Sequence, residues 1–278
     1  MKDSFLILGA TGTIGGRVLD ILAGEGRAVT GASRSRTGRG WAALDITDPS
    51  TFHAALDGIS VVMLMARPGD EEAHVYAEPL IEEMVRRGVR KVVFLSALGA
   101  GSRPKFSIRK VEKLVESSGL DWTFVRPNFF MQMLATPPIS AEIARHGTLS
   151  LPLAGSRTAY VDADDVAAVL ARALTDPALD RKAVDVNGPQ ALDHYEVAER
   201  ISAAAGRPIT YVPLTEEAAR ALLSSRFPRP QTERLLRFYA LVREGRCAEP
   251  DRSVAGLLGR PLIRFSDFAS ANSAAWRA

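Results

Sequence analysis

Gly9-Ala10-Thr11-Gly12-Thr13-Ile14-Gly15 follows directly on the apolar run Phe5-Leu6-Ile7-Leu8 and leads into Arg17-Val18-Leu19-Asp20-Ile21-Leu22, whose apolar residues recur at helical spacing. A strand, a glycine turn and a helix in that order can cradle the diphosphate bridge of a dinucleotide. Side chains in the turn would obstruct either its backbone angles or the approach of phosphate oxygens to amide hydrogens at the positive end of the helix. The G-x-x-G-x-x-G spacing differs from the G-x-G-x-x-G fingerprint, yet it keeps the first and last glycines and the required context. Gly9, Thr11, Gly12, Thr13, Ile14 and Gly15 are therefore the expected cradle.

Outward from the turn, Ala28-Val29-Thr30-Gly31 reads as a second strand and Ala42-Ala43-Leu44 as a short third one ending at Asp45. Asp48-Pro49 opens a helix, proline being tolerated in a first turn. Val61 to Met65, Lys91 to Leu95 and Trp122 to Val125 are apolar strands separated by helices over Tyr76–Arg87 and Lys110–Ser118. Strands apolar throughout, alternating with amphipathic helices, require a parallel sheet covered on both faces. The expected class is α/β, a doubly wound Rossmann sheet.

Beyond Pro127 the alternation becomes irregular. Pro137-Pro138, a short helix at Ile139–Arg145 and Leu149–Leu153 suggest an excursion, and a helix over Asp164–Leu174 and a strand over Ala183–Val186 a return. Helical segments at Glu196–Ala205, Thr215–Ser224 and Gln231–Arg243 are assigned to a smaller, mostly helical lobe over the carboxyl ends of the strands, where open α/β sheets bind ligands. The expected division is 1–134 with 159–188 for the dinucleotide domain, and 135–158 with 189–278 for the lobe.

At 278 residues, 46% hydrophobic and 24% charged, the chain has the makeup of a soluble globular protein with a substantial core. No apolar run reaches membrane-spanning length and no signal peptide is visible. Cys247 is the only cysteine, which excludes an internal disulfide and fits a reducing cytoplasm. The net charge of +3 comes from scattered arginines, which argues against nucleic-acid binding; Arg226, Arg229, Arg234 and Arg237 form a solvated face. Asp162, Asp164 and Asp165 resemble a metal cluster only superficially, because Asp164 is the expected N-cap of the following helix and Asp165 belongs to its first turn. The expected partner is a small-molecule substrate, with the chain a monomer or homodimer.

The residues after the second strand bear on the cofactor. NAD-binding versions place an acidic side chain there for the ribose hydroxyl, and NADP-binding versions an arginine for the extra phosphate. Here the chain has Ala32-Ser33-Arg34-Ser35-Arg36 and no carboxylate. Arg34 can pair bidentately with phosphate while Ser33 or Ser35 adds a hydroxyl, so NADP(H) is favoured over NAD(H). Arg36 belongs to the same loop. Asp45 could accept from the adenine amino group or serve as a local cap near Thr47.

With these segments, and with Gly88-Val89-Arg90-Lys91-Val92-Val93-Phe94-Leu95-Ser96, Ser118 to Phe130 and Tyr160 to Ala167, the chain resembles the NmrA-like atypical short-chain dehydrogenase/reductase family, including the reductases of ergot-alkaloid biosynthesis. The resemblance covers most of the chain and weakens past Pro208. It implies an NADP(H)-binding Rossmann domain and a substrate cleft between that domain and a C-terminal lobe. By likeness, Ala66 and Arg67 lie along the cofactor ribose, Ser96 near the nicotinamide ribose, and Pro127, Asn128, Phe129 and Phe130 border the nicotinamide.

The Tyr-x-x-x-Lys pair by which many relatives donate a proton is missing. Where some relatives place a lysine or histidine ahead of Gly119, this chain has Ile108, which carries no proton; Lys105 and Lys110 are nearby, and Lys105 is the candidate for a catalytic or ribose-binding group. Three readings stay open. One is hydride transfer from NADPH to a quinone, iminium or conjugated carbonyl of a partly apolar molecule, in secondary metabolism, with Ser96 beside the reaction and Phe129 and Phe130 walling the substrate. The others are a non-catalytic NADP(H) sensor and a redox-neutral rearrangement enzyme on the same fold.

Overall fold

The structure is a computed structural model that describes residues 3–67 and 70–277. The strands are β1 (Ser4–Ile7), β2 (Ala28–Ser33), β3 (Trp41–Ala43), β4 (Val61–Met65), β5 (Lys91–Leu95), β6 (Asp121–Pro127), β7 (Thr148–Leu151), β8 (Lys182–Val186) and β9 (Thr210–Pro213). The helices are α1 (Thr13–Gly24), α2 (Phe52–Ala55), α3 (Ala73–Arg86), α4 (Ser107–Ser117), α5 (Ile139–His146), α6 (Ala163–Thr175), α7 (His194–Ala205), α8 (Glu216–Ser224), α9 (Arg229–Arg243), α10 (Val254–Leu258) and α11 (Phe265–Ala271). Two compact units result: Met1–Pro127 with Ala163–Val186, and Asn128–Asp162 with Asn187–Ala278. The chain leaves the first unit at the end of β6 rather than near residue 134. Asn128 already belongs to the second unit, where its amide donates to Asn187 Oδ1 at 2.9 Å and to the Cys247 carbonyl at 3.0 Å.

The first unit holds a seven-stranded sheet of order β3-β2-β1-β4-β5-β6-β8, parallel throughout. Residue parity decides which layer each side chain joins. Leu6, Leu8, Val62, Leu64, Val92, Phe94 and Phe124 pack with Phe52, Leu80, Met84, Val111 and Val115 from the segments of α2, α3 and α4. Their neighbours Phe5, Ile7, Val61, Met63, Val93 and Val125 are equally buried on the opposite face, the side on which α1 and α6 pack together through fully buried Val18, Leu22, Val166, Val169 and Leu170. Each such side chain contributes about 1.5–3 kcal/mol by leaving water, so runs apolar at every position are what a two-faced core requires.

Asp164 is not the N-cap: α6 begins at Ala163, which puts Asp164 inside the first turn, where its carboxylate pairs with Arg17 of α1. An acidic group there complements the helix dipole without capping it.

The second unit contains α5 and α7 to α11 and a parallel ribbon of β7 and β9, in which Leu149 stands opposite Tyr211. The sequence reading has no strand at 210–213, because Tyr211 is the only buried residue of β9 and the segment has no apolar run. The Tyr211 hydroxyl fastens the ribbon by donating to the Leu151 carbonyl at 2.9 Å and accepting from the Leu153 amide at 3.3 Å. A capping box of Asp193 and Glu196 starts α7. Its first residue, His194, is buried with Tyr160, Phe265, Phe268 and Trp276, and the Trp276 indole donates to the Leu134 carbonyl at 2.7 Å.

Burial holds the His194 imidazole near pKa 4, against an ordinary value of 6.5. It is therefore neutral in the fold, with Nε2 hydrogen-bonded to the Tyr160 hydroxyl at 2.8 Å. The unfolded chain takes up a proton from about pH 6.5 downward while the folded chain does not, so stability is full above 6.5 and falls as pH drops toward 4. The loss from this residue is about 3 kcal/mol. Denaturant unfolding of wild type and His194→Gln between pH 7 and pH 4 is expected to show that extra loss in wild type alone; parallel pH profiles would contradict it.

Candidate cofactor site

The carboxyl ends of β1, β2 and β4 converge where the strand order reverses, the place where doubly wound sheets take ligands. A cleft of about 520 Å³ opens there, and Gly9, Thr11, Ser33, Arg34, Arg36, Asp45, Ala66 and Arg67, all expected from the sequence, line it. Close packing explains two of the glycines. Gly9 has φ of +67° and a Cβ there would fall 2.0 Å from Met65 Sδ; a Cβ on Gly15 would fall 2.3 Å from the Gly9 carbonyl oxygen and 2.5 Å from its carbon. The turn is closed by the Gly12 amide donating to the Gly9 carbonyl at 2.9 Å.

Helix α1 has Gly12 at its N-cap and no side chain capping it. The first amide bonded back along the helix is that of Gly16, to the Gly12 carbonyl at 3.0 Å. The amides of Thr13, Ile14 and Gly15 therefore have no helical acceptor, at the end where the helix dipole favours an anion.

At the other side of the cleft, Ser33 Oγ accepts from the Ser35 and Arg36 amides at 3.3 and 3.2 Å, which folds the loop tightly and leaves the hydroxyl hydrogen to be donated. Arg36 lies over the Trp41 ring at 5.0 Å, while Arg34 forms no hydrogen bond or ion pair among the described residues and acts on Asp45 only through its charge. A cationic fork beside a donating hydroxyl matches a phosphate dianion. Asp45 Oδ1 accepts from the Thr47 amide at 3.0 Å and hydroxyl at 2.8 Å. Those bonds, helped by the charges of Arg34 and Arg67, hold its carboxyl below the usual range. The local cap and the place in the cleft are both realised.

Leu8, Leu44, Ile46 and Met65 add apolar side chains to the wall. The sequence reading misses them as site residues, since an apolar residue at a strand end looks the same whether it faces core or ligand. With uncapped amides at the start of α1, a turn whose tight packing admits only glycine at Gly9 and Gly15 and an arginine in the cleft that no hydrogen bond ties down, the residues fit a dinucleotide carrying an extra phosphate.

Ser96 follows β5 and is buried; its amide donates to the Val125 carbonyl at 2.8 Å and its hydroxyl to Glu112. The Pro127 carbonyl accepts from the Leu98 amide. Ile108 is buried in the core, and Lys105 is exposed on the turn before α4. Asn128, Phe129 and Phe130 lie in the second unit. There Phe129 meets Phe238 edge to face at 6.1 Å and borders an apolar cavity of about 10 Å³ with Tyr160 and Tyr239, room for a single water. Among the described residues no group of three or more His, Cys, Asp or Glu could hold a metal, and no helix is long and apolar enough to cross a membrane.

The model of a family described as NAD(P)H-binding matches residues 9–177. The NAD(P)H azoreductase of Xenophilus azovorans is 35% identical, covering 98% of this chain and 99% of that protein. The (4-alkanoyl-5-oxo-2,5-dihydrofuran-3-yl)methyl phosphate reductase of Streptomyces griseus is 31% identical over 98% of each. In fold, the chain is similar to the Escherichia coli NADPH-dependent quinone oxidoreductase complexed with NADPH, at a TM-score of 0.87 and 20% identity, covering 96% of this chain and 99% of that one. The chain belongs to the NAD(P)H-binding, NmrA-like family of atypical short-chain dehydrogenases/reductases and is an NAD(P)H-dependent reductase.

Proposed function

We propose that this reductase uses NADPH in preference to NADH and reduces an electron-poor conjugated molecule, an azo compound or quinone, with iminium ions and conjugated carbonyls as the wider class. The observation that carries the substrate class is the full-length likeness to an NAD(P)H azoreductase. The chemistry of the residues agrees with it. The cofactor, when bound, supplies a hydride. Ile108 and the missing Tyr-x-x-x-Lys pair leave no side chain at the usual acid positions, and azo compounds and quinones can draw their proton from water, so positioning suffices.

In this reading the amides at the start of α1 hold the diphosphate, and Ser33 and Arg34 clasp the adenosine phosphate, with Arg36 beside them. Asp45 faces the adenine, and Ala66 and Arg67 follow the adjoining ribose. Ser96 stands at the nicotinamide ribose with Lys105 as an auxiliary cation on a flexible stem, Pro127 and Asn128 border the nicotinamide, and Phe129 and Phe130 give the acceptor an aromatic wall.

Anaerobic NADPH oxidation with an azo dye, a naphthoquinone, an iminium ion and an enone tests the reading. Turnover with the dye or the quinone is expected. Tight NADPH binding with no turnover on any of the four would overturn it in favour of a sensor.

A further inference from the structure

Behind Ser96 lies a buried charge cluster that hydride transfer does not itself demand. The Ser96 hydroxyl donates to Glu112 Oε1 at 2.7 Å. Glu112 is fully buried on α4, on the same face as Ile108, Val111 and Val115. Its carboxylate also accepts from Arg126 Nε at 2.8 Å and Nη2 at 2.9 Å, and from Arg109 Nη1 at 2.9 Å. Arg109 is balanced in turn by Glu116, at 2.8 and 3.1 Å. Four donated bonds occupy the carboxylate's lone pairs. The cluster is packed from outside as well, since a Cβ on Gly101 would fall 2.9 Å from Arg126 Nη1.

A buried carboxylate is costly unless fully paired, and an apolar residue could fill the same space without that cost. What the carboxylate adds is polarity. With its hydrogen given to Glu112, Ser96 can offer only lone pairs to a group in front of it, which is the reverse of a serine that polarises a carbonyl.

We propose that Glu112 is a positioning residue that holds Ser96 as a hydrogen-bond acceptor for a hydroxyl of the nicotinamide ribose, Arg126 and Arg109 fixing Glu112 in turn. This rests on the cofactor placement proposed above. It also makes Ser96 a ligand of the cofactor and not a proton donor to the acceptor molecule.

A double-mutant cycle in NADPH affinity, measured by titration calorimetry on Ser96→Ala, Glu112→Gln and the double variant, tests it, with thermal unfolding of each apoprotein alongside. Ser96→Ala is expected to weaken NADPH binding about 5- to 10-fold and to remain folded, with a lowered melting temperature because Glu112 loses one of its four donors. Glu112→Gln sets an amide NH₂ against a guanidinium in either orientation and is expected to weaken binding similarly. The double variant is expected to be no weaker than either single one, because both act through one contact. Effects that multiply, or a Glu112→Gln affinity equal to wild type, would overturn the inference. Should Glu112→Gln fail to fold, Glu112→Asp replaces it in the same cycle with the same criteria, as it keeps the charge beside Arg126 and Arg109 while drawing the carboxylate away from Ser96. Wild-type protein that binds no NADPH would overturn the cofactor placement itself, and this inference with it.

Discussion

Arg34→Ala is expected to bind NADPH about 30- to 150-fold more weakly than wild type, while its affinity for NADH changes by less than about threefold. The range follows from losing a charge-assisted contact worth about 2–3 kcal/mol. The asymmetry follows from where the charge lies: Arg34 lines the cleft with no hydrogen bond or ion pair holding it among the described residues, next to a serine whose hydroxyl is free to donate. Arg36 is a poor substitute because it is occupied with the Trp41 ring. Arg34→Lys should recover only part of the loss, since an ammonium cannot form the two-pronged contact. Calorimetric titration of the three proteins with both dinucleotides checks this, and equal losses toward NADPH and NADH would show that Arg34 does not meet the extra phosphate.

Gly15→Ala is expected to cost about 3 kcal/mol of stability or more and to weaken binding of both dinucleotides at least about tenfold. The added methyl would meet three backbone atoms, the Gly9 oxygen at 2.3 Å, the Gly9 carbon at 2.5 Å and the Ala10 nitrogen at 2.9 Å. No flexible side chain can yield there, so either α1 moves off the sheet or the turn opens, and both misplace the amides that face the diphosphate. Gly12→Ala is the control, because its Cβ would stand 3.3 Å from a single oxygen and the backbone has only a few tenths of an ångström to give. Denaturant unfolding and NADPH titration should rank the proteins as wild type, Gly12→Ala, Gly15→Ala; a Gly15→Ala protein matching wild type would refute the packing argument.

The sheet was legible because parallel strands buried on both faces are apolar at every position, as in Val61-Val62-Met63-Leu64-Met65, and the helices between them are not. The cradle was legible for a related reason: steric exclusion leaves only glycine at Gly9 and Gly15, so the constraint is written in residue type. β9 was not, since Thr210-Tyr211-Val212-Pro213 buries a single side chain and relies on backbone pairing, which leaves no trace in composition. The early exit of the chain after Pro127 depends on the long-range bonds of Asn128, and such bonds have no local signature. Glu112 did carry a signal. It interrupts the apolar face of α4 between Val111 and Val115, and a carboxylate at such a position needs a buried cation, a requirement that Arg126 meets from β6, 14 residues on. Its link to Ser96 becomes visible only when β5 and α4 are set side by side.

Titration calorimetry of the wild-type protein with NADPH and with NADH measures directly whether the α1 cradle and the Arg34 clasp together hold a phosphorylated dinucleotide. One NADPH per chain is expected, bound at least about tenfold more tightly than NADH. Absence of binding heat with both, or tighter binding of NADH, would contradict that expectation.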